Sequence, residues 1–399
     1  MSTVNLPAEQ VRGTIERARG TALTLGIVGL IVWATGLFTH RHLAFQSYHF
    51  AYLFWTGLGI GCLGMMLLVH VVRGKWGQPL VRIFEAGAQT LVPLMVLFFI
   101  PILVGMHSIF EWSHPEAVQN DPIIAFKAKY YLNLPFFLVR MAAYFALWGY
   151  LTYLMVRSSS RQDAARDPME AELISRQRMT PAALGIPFYV LTVTFFAVDM
   201  AMSLQPHWFS TMYGVILLVG FGLTAMALAT LLVLLWREIP PYKGLIHFEF
   251  RRDWGNLLFT MMVFWSYVSF SQLLIIYSGN LPEETSFYLR RNMGGWHAVS
   301  WLIVIFHFFV PFFLLLAPRT KRIPQQLILS ALILLTIRVI EMFWEVKPAF
   351  SEVFSISLYD VAAFVGLGGV WFWAMFGNLL KRPLLPQNEP RLQEVPHAH

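Results

Sequence analysis

Residues 212–236 read MYGVILLVGFGLTAMALATLLVLLW, and none of these side chains carries a charge. A helix of about 20 residues is long enough to cross the hydrocarbon core of a bilayer. Lipid cannot hydrogen-bond a peptide group, so a single segment that crosses it has to be helical. The stretch therefore predicts a transmembrane helix, and similar apolar stretches recur along the chain.

The composition of the whole chain supports this interpretation. Of its 399 residues, 57% are hydrophobic and 13% are charged, whereas about a quarter of the residues of a soluble domain are charged. The sequence does not show the alternating segments of about ten residues that a membrane-spanning barrel requires. We therefore predict an all-α integral membrane protein.

Ten segments meet the length criterion, which predicts ten transmembrane helices. They are expected at about 20–39, 48–72, 87–107, 134–157, 183–204, 212–236, 256–278, 296–317, 324–344 and 357–379.

These segments define a transmembrane domain at residues 20–380, preceded by a polar leader at 1–19. The leader has no short apolar core followed by a small-residue cleavage site, so it is not expected to be a signal peptide. The Pro-rich tail at 381–399 is expected to be extended or bound to a partner. In the longest polar loop, PMEAELISRQR (168–178) predicts a short surface helix.

The basic residues predict the orientation. Loops on the side of the N-terminus hold 21 of the 29 Lys and Arg residues, the opposite loops hold six, and Arg140 and Arg338 lie within spans. Basic loops stay in the cytoplasm, so both termini are expected there. Membrane orientation and contact with anionic lipid therefore explain the net charge of +7, and a nucleic-acid partner is not required to explain it.

The single cysteine and the glycines exclude several kinds of site. Cys62 alone cannot form an internal disulfide, hold an iron–sulfur cluster or provide a CxxCH haem attachment. GLGIGCLG (57–64) has the glycine spacing of a dinucleotide-binding loop, but it lies within a span and not between a strand and a helix. Close helix packing is the better interpretation of these glycines.

Ionisable residues at membrane depth are the candidate functional residues, because a charge at the bilayer centre costs at least about 2.5–3.5 kcal/mol. Arg338 and Glu341 are spaced i, i+3, so we expect them to pair on one helix face that Glu345 continues. The pair is either structural or part of a proton relay. Asp360 lies near a helix N-terminus, where an aspartate is stabilised, so its role is expected to be structural.

Among these residues, Asp199 most requires an explanation, because its charge interrupts the apolar run FFAVDMAMSLQPHWFSTMYG (195–214). Ser203 lies on the same helix face and is expected to hydrogen-bond it. Asp199 either holds two helices together or carries protons. Because intramembrane carboxylates commonly mark ion pathways, the proton site is the favoured hypothesis.

The histidines at membrane depth do not predict a haem site. Two stacked haems need histidines about 14 residues apart on one helix, and no predicted span carries such a pair. His297 and His307 are ten residues apart. We therefore expect His107 and His307 to transfer protons or to make structural hydrogen bonds.

Three long segments resemble a known family: DMAMSLQPHWFSTMYG (199–214), DWGNLLFTMMVFWSYVSFSQLLIIYSGNLPEET (253–285) and RRNMGGW (290–296). With the ten-span layout, they are similar to the ActF-type membrane subunits of bacterial alternative complex III, which belong to the NrfD-like (polysulfide-reductase membrane-subunit) family. The resemblance implies two four-helix bundles flanked by two peripheral helices.

The resemblance also implies a quinol-oxidising respiratory complex in the bacterial inner membrane. Its electrons pass from quinol through iron–sulfur clusters and c-type haems on partner subunits to a periplasmic carrier or directly to a terminal oxidase. In the family, quinol oxidation is placed mainly on the sister subunit ActC, and the ActF-type subunit binds no redox cofactor and has a proposed proton path. The residues expected to contribute to such a path are His107, Asp199, Ser203, His307, Arg338, Glu341 and Asp360.

Two other functions remain open from the sequence. The Tyr and Trp residues around 264–277 could line a quinone cleft, although packing is the stronger expectation for so aromatic a helix. A proton-coupled secondary transporter would instead use Asp199 and Glu341 as coupling sites.

Overall fold

The computed structural model describes residues 8–393, and all of the regular structure in that range is helical. This range contains ten helices that are long and apolar enough to cross a membrane, which confirms the predicted number. The chain is therefore a multi-pass membrane protein. The ten helices are α1 (Val11–Thr39), α2 (Arg41–Val72), α3 (Val81–Val104), α4 (Leu134–Asp163), α5 (Pro168–Leu204), α6 (Tyr213–Trp236), α7 (Phe248–Gly279), α8 (Trp296–Leu316), α9 (Pro324–Ala349) and α10 (Leu358–Leu380). Residues 1–7 of the predicted leader and 394–399 of the predicted tail lie outside the described residues.

Helices α2 and α6 form the centre of the molecule. In their most apolar segments, 89% and 78% of the residues are buried, against 50% or less in every other span. The two helices pack against each other; α2 also contacts α3, α5 and α10, while α6 also contacts α5, α7 and α9. Helix α1 packs mainly on α10, α4 on α5, and α8 on α7 and α9. The remaining apolar surface of the outer helices is available to lipid.

The glycines of α2 permit this central contact. A Cβ at Gly61 would lie 2.0 Å from the carbonyl oxygen of Phe221, and a Cβ at Gly57 would lie 2.2 Å from the Phe221 ring. Only a residue without a side chain fits where two helix backbones come so close. The nucleotide-loop spacing in the sequence is therefore a helix-packing feature, as expected.

Helix α3 differs from the predicted continuous span at 87–107. It begins earlier, at Val81, and it is interrupted at Val92, whose φ of −132° and ψ of 125° are those of a strand. Pro93 is the cause, because a proline disfavours the helical conformation of the residue before it. The interruption leaves a recess on the side of α3 that faces α4.

The predicted surface helix at 168–178 is not a separate element. One helix runs from Pro168 to Met200 through Pro181 and Pro187, and the side chain of Asp167 caps it by accepting from the backbone N–H of Glu170 at 2.8 Å. Prolines are tolerated in membrane helices because neighbouring helices and side chains satisfy the carbonyls that a proline leaves free. The sequence prediction was therefore wrong in separating this segment from the fifth span.

The described part of the tail is bound to the chain's own helices. Arg382 donates to Glu85 at 2.7 Å and to Asp163 at 3.0 Å, and Glu389 accepts from Gln162 at 2.8 Å. These contacts lie at the end of the molecule where α1 begins and α2 ends, which we call the basic side; the opposite end is the far side. The tail thus joins the basic-side ends of α3 and α4.

We expect Gly61→Ala to destabilise the fold, because its methyl group would collide with the backbone of α6. Overpacking of this kind costs about 1–3 kcal/mol. Thermal unfolding of the purified protein in detergent measures the effect. In the control Gly20→Ala, a Cβ on α1 meets nothing within 4 Å, so a similar loss in both variants would contradict the close α2–α6 contact.

Candidate functional site

Five buried side chains from four helices meet near the middle of their spans, and we call them the central cluster. Each is at most 7% exposed. They are Thr224 of α6, Trp265 of α7, His307 of α8, and Arg338 and Glu341 of α9. The cluster brings together three of the residues that the sequence singled out.

Glu341 is the acceptor at the centre of this cluster. Its Oε2 accepts from the guanidinium of Arg338, and its Oε1 accepts from the indole N–H of Trp265 at 2.9 Å. The i, i+3 ion pair expected from the sequence is therefore present. Arg338 also donates through Nε to the Thr224 hydroxyl at 3.2 Å. The charges compensate each other, which a buried ion pair requires.

His307 is the third titratable group of the cluster. Its Nδ1 lies 3.0 Å from Oε2 of Glu341, although the ring is not aligned for a linear hydrogen bond. Its Nε2 has no partner among the described residues. His307 belongs to a π-helical turn at Val304–Phe309, a distortion that is frequent at functional sites because it redirects side chains.

Trp265 holds the imidazole ring in place. The two rings stack with centroids 3.6 Å apart and planes inclined by 27°. A protonated imidazole over an indole face gains cation–π attraction. Trp265 therefore contacts both the carboxylate and the imidazole, and can stabilise either partner in its charged form.

Gly220 of α6 makes room for the cation. A Cβ on this residue would lie 2.2 Å from Nη2 of Arg338. The guanidinium thus rests against bare backbone, one helical turn before Thr224. The site therefore requires a glycine at residue 220. The sequence alone does not show this, because Gly220 is one of many small residues in an apolar span.

A cavity of about 780 Å³ lies beside the central cluster. Glu341 and Trp265 line it, so the cluster forms part of its wall. The other walls are mostly aromatic and aliphatic, with hydroxyl and amide groups among them. Its polar and aromatic lining comprises Trp265, Ser266, Tyr267, Ser269, Phe270, Gln272, Tyr288, Arg291, Asn292, Ser300, Trp301, Phe308, Phe309, Glu341, Trp344 and Glu345.

Glu345 is a second carboxylate in this cavity. It is 7% exposed, and its Oε2 has no hydrogen-bond partner among residues 8–393. Glu345 follows Glu341 by four residues, so both lie on the same face of α9. The sequence prediction that Glu345 continues this face holds.

Arg291 closes the cavity toward the far side. Its guanidinium lies 3.4 Å from the ring centroid of Phe287 and donates to the backbone carbonyls of Phe287, Trp344 and Glu345. Burial lowers the pKa of Arg291 to about 10, while Glu345 favours its charged form. The group remains a cation at neutral pH. The sequence treated Arg291 only as a loop charge, and the structure places it in the wall of the site.

Asp199 does not belong to the central cluster. Its carboxylate accepts from Arg140 Nη2 at 2.7 Å and Nε at 3.0 Å, and from the Tyr144 hydroxyl at 2.9 Å. Both partners lie on α4, so the contacts tie α4 to α5. Ser203 donates to the backbone carbonyl of Asp199 at 2.6 Å and not to the carboxylate. The expected side-chain pairing was therefore wrong, because a serine hydroxyl in a helix can bond the carbonyl four residues earlier.

Asp360 forms the structural contacts expected of it. It completes a capping box with Ser357 at the start of α10, and it accepts from Lys347 at 2.8 Å and from Ser47 at 2.7 Å. These bonds join α2, α9 and α10 at the far side. Lys347, counted from the sequence as a loop charge, is only 3% exposed.

His107 lies in the connection after α3. It contacts Ser113 at 3.1 Å and the ring of His114, both in its own connection. Within residues 8–393, His107 makes no hydrogen bond or ring contact with Asp199 or His307. The structure therefore leaves His107 apart from the other residues of the expected path.

A network of charges on the basic side was missed by the sequence interpretation. Arg82 donates to Glu85 at 2.8 Å and to Asp163 at 2.5 Å, and Arg382 bonds the same two carboxylates. The signal was available, since Arg82 and Glu85 repeat the i, i+3 spacing of Arg338 and Glu341. It was overlooked because Arg82 was counted only as a loop charge.

No protein-family model and no curated protein matches this chain. In residues 8–393, no three His, Cys, Asp or Glu side chains are grouped so that they could hold a metal ion. The central cluster brings a carboxylate, a guanidinium and an imidazole together, next to a cavity whose lining is mainly apolar.

Arg140→Met should lower the free energy of unfolding by about 3–5 kcal/mol, because it leaves the Asp199 carboxylate buried without its cation. The double variant Arg140→Met/Asp199→Leu should recover much of this loss. Denaturation of the purified protein in mixed micelles measures both.

Arg176→Met is the matched control. Arg176 pairs with Glu172 at 2.8 Å but is 68% exposed, and exposed pairs contribute about 0–1 kcal/mol. If Arg140→Met cost no more than Arg176→Met, Asp199 would not depend on Arg140.

Proposed function

We propose that this chain is the ActF-type, NrfD-like membrane subunit of a quinol-oxidising respiratory complex of the alternative complex III class, and that it contributes part of a transmembrane proton path. The observation that carries the proposal is the central cluster, in which a buried carboxylate lies beside both a fixed cation and an imidazole with a free nitrogen. Intramembrane groups of this kind characterise proton pathways. The resemblance of residues 199–296 to ActF-type subunits is the reason for proposing this class of complex.

In this proposal Glu341 and His307 exchange the proton. Oε2 of Glu341 lies 3.0 Å from Nδ1 of His307. A proton that passes from this oxygen to Nδ1 lets another leave from Nε2. Arg338 stabilises the carboxylate that remains, and Trp265 stabilises the imidazolium by stacking. Gly220 keeps the guanidinium in place, so it acts as a positioning residue.

The proposal extends to the arrangement of the helices. Packing among α2–α5 and among α6–α9 supports two four-helix bundles, with α1 and α10 peripheral. The excess of Lys and Arg on the basic side supports cytoplasmic termini in the bacterial inner membrane. We propose that the redox cofactors lie on partner subunits, namely the iron–sulfur and multihaem cytochrome c subunits, and that ActC is the sister membrane subunit.

Glu345 is a better candidate than Asp199 for the next position in the path. It lies four residues from Glu341 and has a carboxylate oxygen without a hydrogen-bond partner among residues 8–393, whereas both oxygens of the Asp199 carboxylate accept from Arg140, and one also accepts from Tyr144. The contacts of Asp199 and Asp360 favour structural roles for both.

A second candidate function, direct quinol binding by this chain, is favoured by the cavity. About 780 Å³ lies within the usual range for a small-molecule site, and its lining is mainly apolar and aromatic with a few polar groups. A quinol head group in this space would have Glu345, Gln272 and Tyr288 in its walls. Its protons would then enter the path beside Glu341.

Glu341→Gln should lower the number of protons moved across the membrane per quinol oxidised while the complex still assembles, because the amide keeps the shape but cannot exchange a proton. The measurement uses a tagged chain purified with its partners in mild detergent and reconstituted into vesicles. Haem absorbance reports assembly, and acidification reports protons released per quinol oxidised.

Glu352→Gln is the control, since Glu352 is exposed in the loop before α10. Equal proton release in wild type and Glu341→Gln would contradict the proton path. A tagged chain that purifies without haem-containing partners would contradict membership of the complex, and would favour the transporter interpretation.

Ser269→Phe should raise the KM for quinol by about tenfold or more if the cavity binds quinol, because the new ring would fill part of it. Proton release per quinol oxidised should stay the same. Thr260→Phe adds the same ring on the exposed face of α7 and should change neither. An unchanged KM in Ser269→Phe would contradict quinol binding at this cavity.

A further inference from the structure

A second recess lies between α3 and α4 at the basic side, away from the central cluster. Its volume is about 370 Å³, and it is lined by Ala88, Gln89, Val92, Gly149, Thr152, Tyr153, Val156 and Arg157. One end is basic and polar and the other is aliphatic. We propose that this recess binds an anionic phospholipid of the leaflet on the basic side, with its phosphate at Arg157 and one acyl chain along the aliphatic end.

The backbone of α3 creates the recess. Val92 leaves the helix, and the following turn is displaced, so α3 does not cover the facing side of α4. Gly149 lies opposite, where a Cβ would approach Cγ2 of Val92 to 3.2 Å. A side chain larger than hydrogen at residue 149 would narrow the opening, so both helices contribute to keeping it free.

The polar end is arranged to receive an anion. Arg157 donates to the Tyr153 hydroxyl at 2.8 Å and its guanidinium lies over that ring. No carboxylate of the described residues pairs with Arg157, so its charge is not compensated. Because the Tyr153 oxygen accepts from Arg157, its hydroxyl hydrogen is available to a phosphate oxygen. Charge-assisted bonds from Arg to phosphate are among the strongest that side chains make.

A buried polar group in the same recess lacks a partner. Thr152 is 5% exposed, and its hydroxyl makes no hydrogen bond among residues 8–393. A buried hydroxyl without a partner is destabilising, because it has lost its hydrogen bonds to water. An ester or phosphate oxygen of a bound lipid would satisfy it, whereas an alkyl chain alone would not.

The dimensions also match a phospholipid. Arg157 and Gly149 are eight residues apart on one helix, which is about 12 Å at 1.5 Å per residue. This distance covers a phosphate, the glycerol and the start of an acyl chain. Basic pockets between membrane helices on the side with excess positive charge bind anionic head groups. The inference depends on this recess alone and not on the proposed respiratory function.

The test measures which lipids remain bound to the full chain. The protein is purified in detergent, phosphatidylglycerol or phosphatidylcholine is added back, and native mass spectrometry counts the adducts. Wild type should retain phosphatidylglycerol in preference to phosphatidylcholine. Arg157→Gln should weaken phosphatidylglycerol binding by about fivefold or more, since one basic residue contributes about 1 kcal/mol. Gly149→Leu should weaken binding of both lipids by filling the recess.

Arg161→Gln is the matched control, because Arg161 lies one turn further along α4, is exposed, and does not line the recess. It should leave the lipid adducts unchanged. Equal effects of Arg157→Gln and Arg161→Gln would overturn the proposal. Displacement of the bound lipid by millimolar inorganic phosphate would also overturn it, because the site would then recognise a free anion and not a lipid.

Discussion

The free-energy cost of a charge in hydrocarbon constrains the whole molecule. Arg140 and Asp199 join α4 to α5, Lys347 and Asp360 join α9 to α10, and Glu341 draws donors from α7 and α9. Each pair is buried, so removing one member leaves an uncompensated charge, while replacing both with apolar residues need not be costly. The packing of these helices is therefore specified by polar contacts as much as by the fit of apolar surfaces.

Features that depend on nearby residues were predictable from the sequence. The ten spans, the Arg338–Glu341 pair, the packing role of the α2 glycines and the capping role of Asp360 all follow from length or spacing within one helix. The partner of Asp199 could not be predicted, because Arg140 lies 59 residues away and only the packing of α4 on α5 brings them together. For the same reason, the position of Arg291 in the cavity wall could not be predicted from residue spacing within one helix.

The central cluster and the larger cavity share Glu341 and Trp265. Proton exchange and occupation of the cavity would therefore affect each other through the same two side chains. A bound molecule that accepts a hydrogen bond from Trp265 would take a donor from Glu341, and the balance between Arg338 and His307 would change. The two candidate functions thus describe neighbouring parts of one site.

The network on the basic side sets an order of events in biosynthesis. Glu85 is buried among arginines, one of which, Arg382, is translated 297 residues later. Until Arg382 leaves the ribosome, Glu85 and Asp163 share a single guanidinium, that of Arg82. The basic-side ends of α3 and α4 consequently remain incompletely neutralised during most of membrane insertion. The second guanidinium that pairs with Glu85 and Asp163 thus comes from a segment that follows the final span.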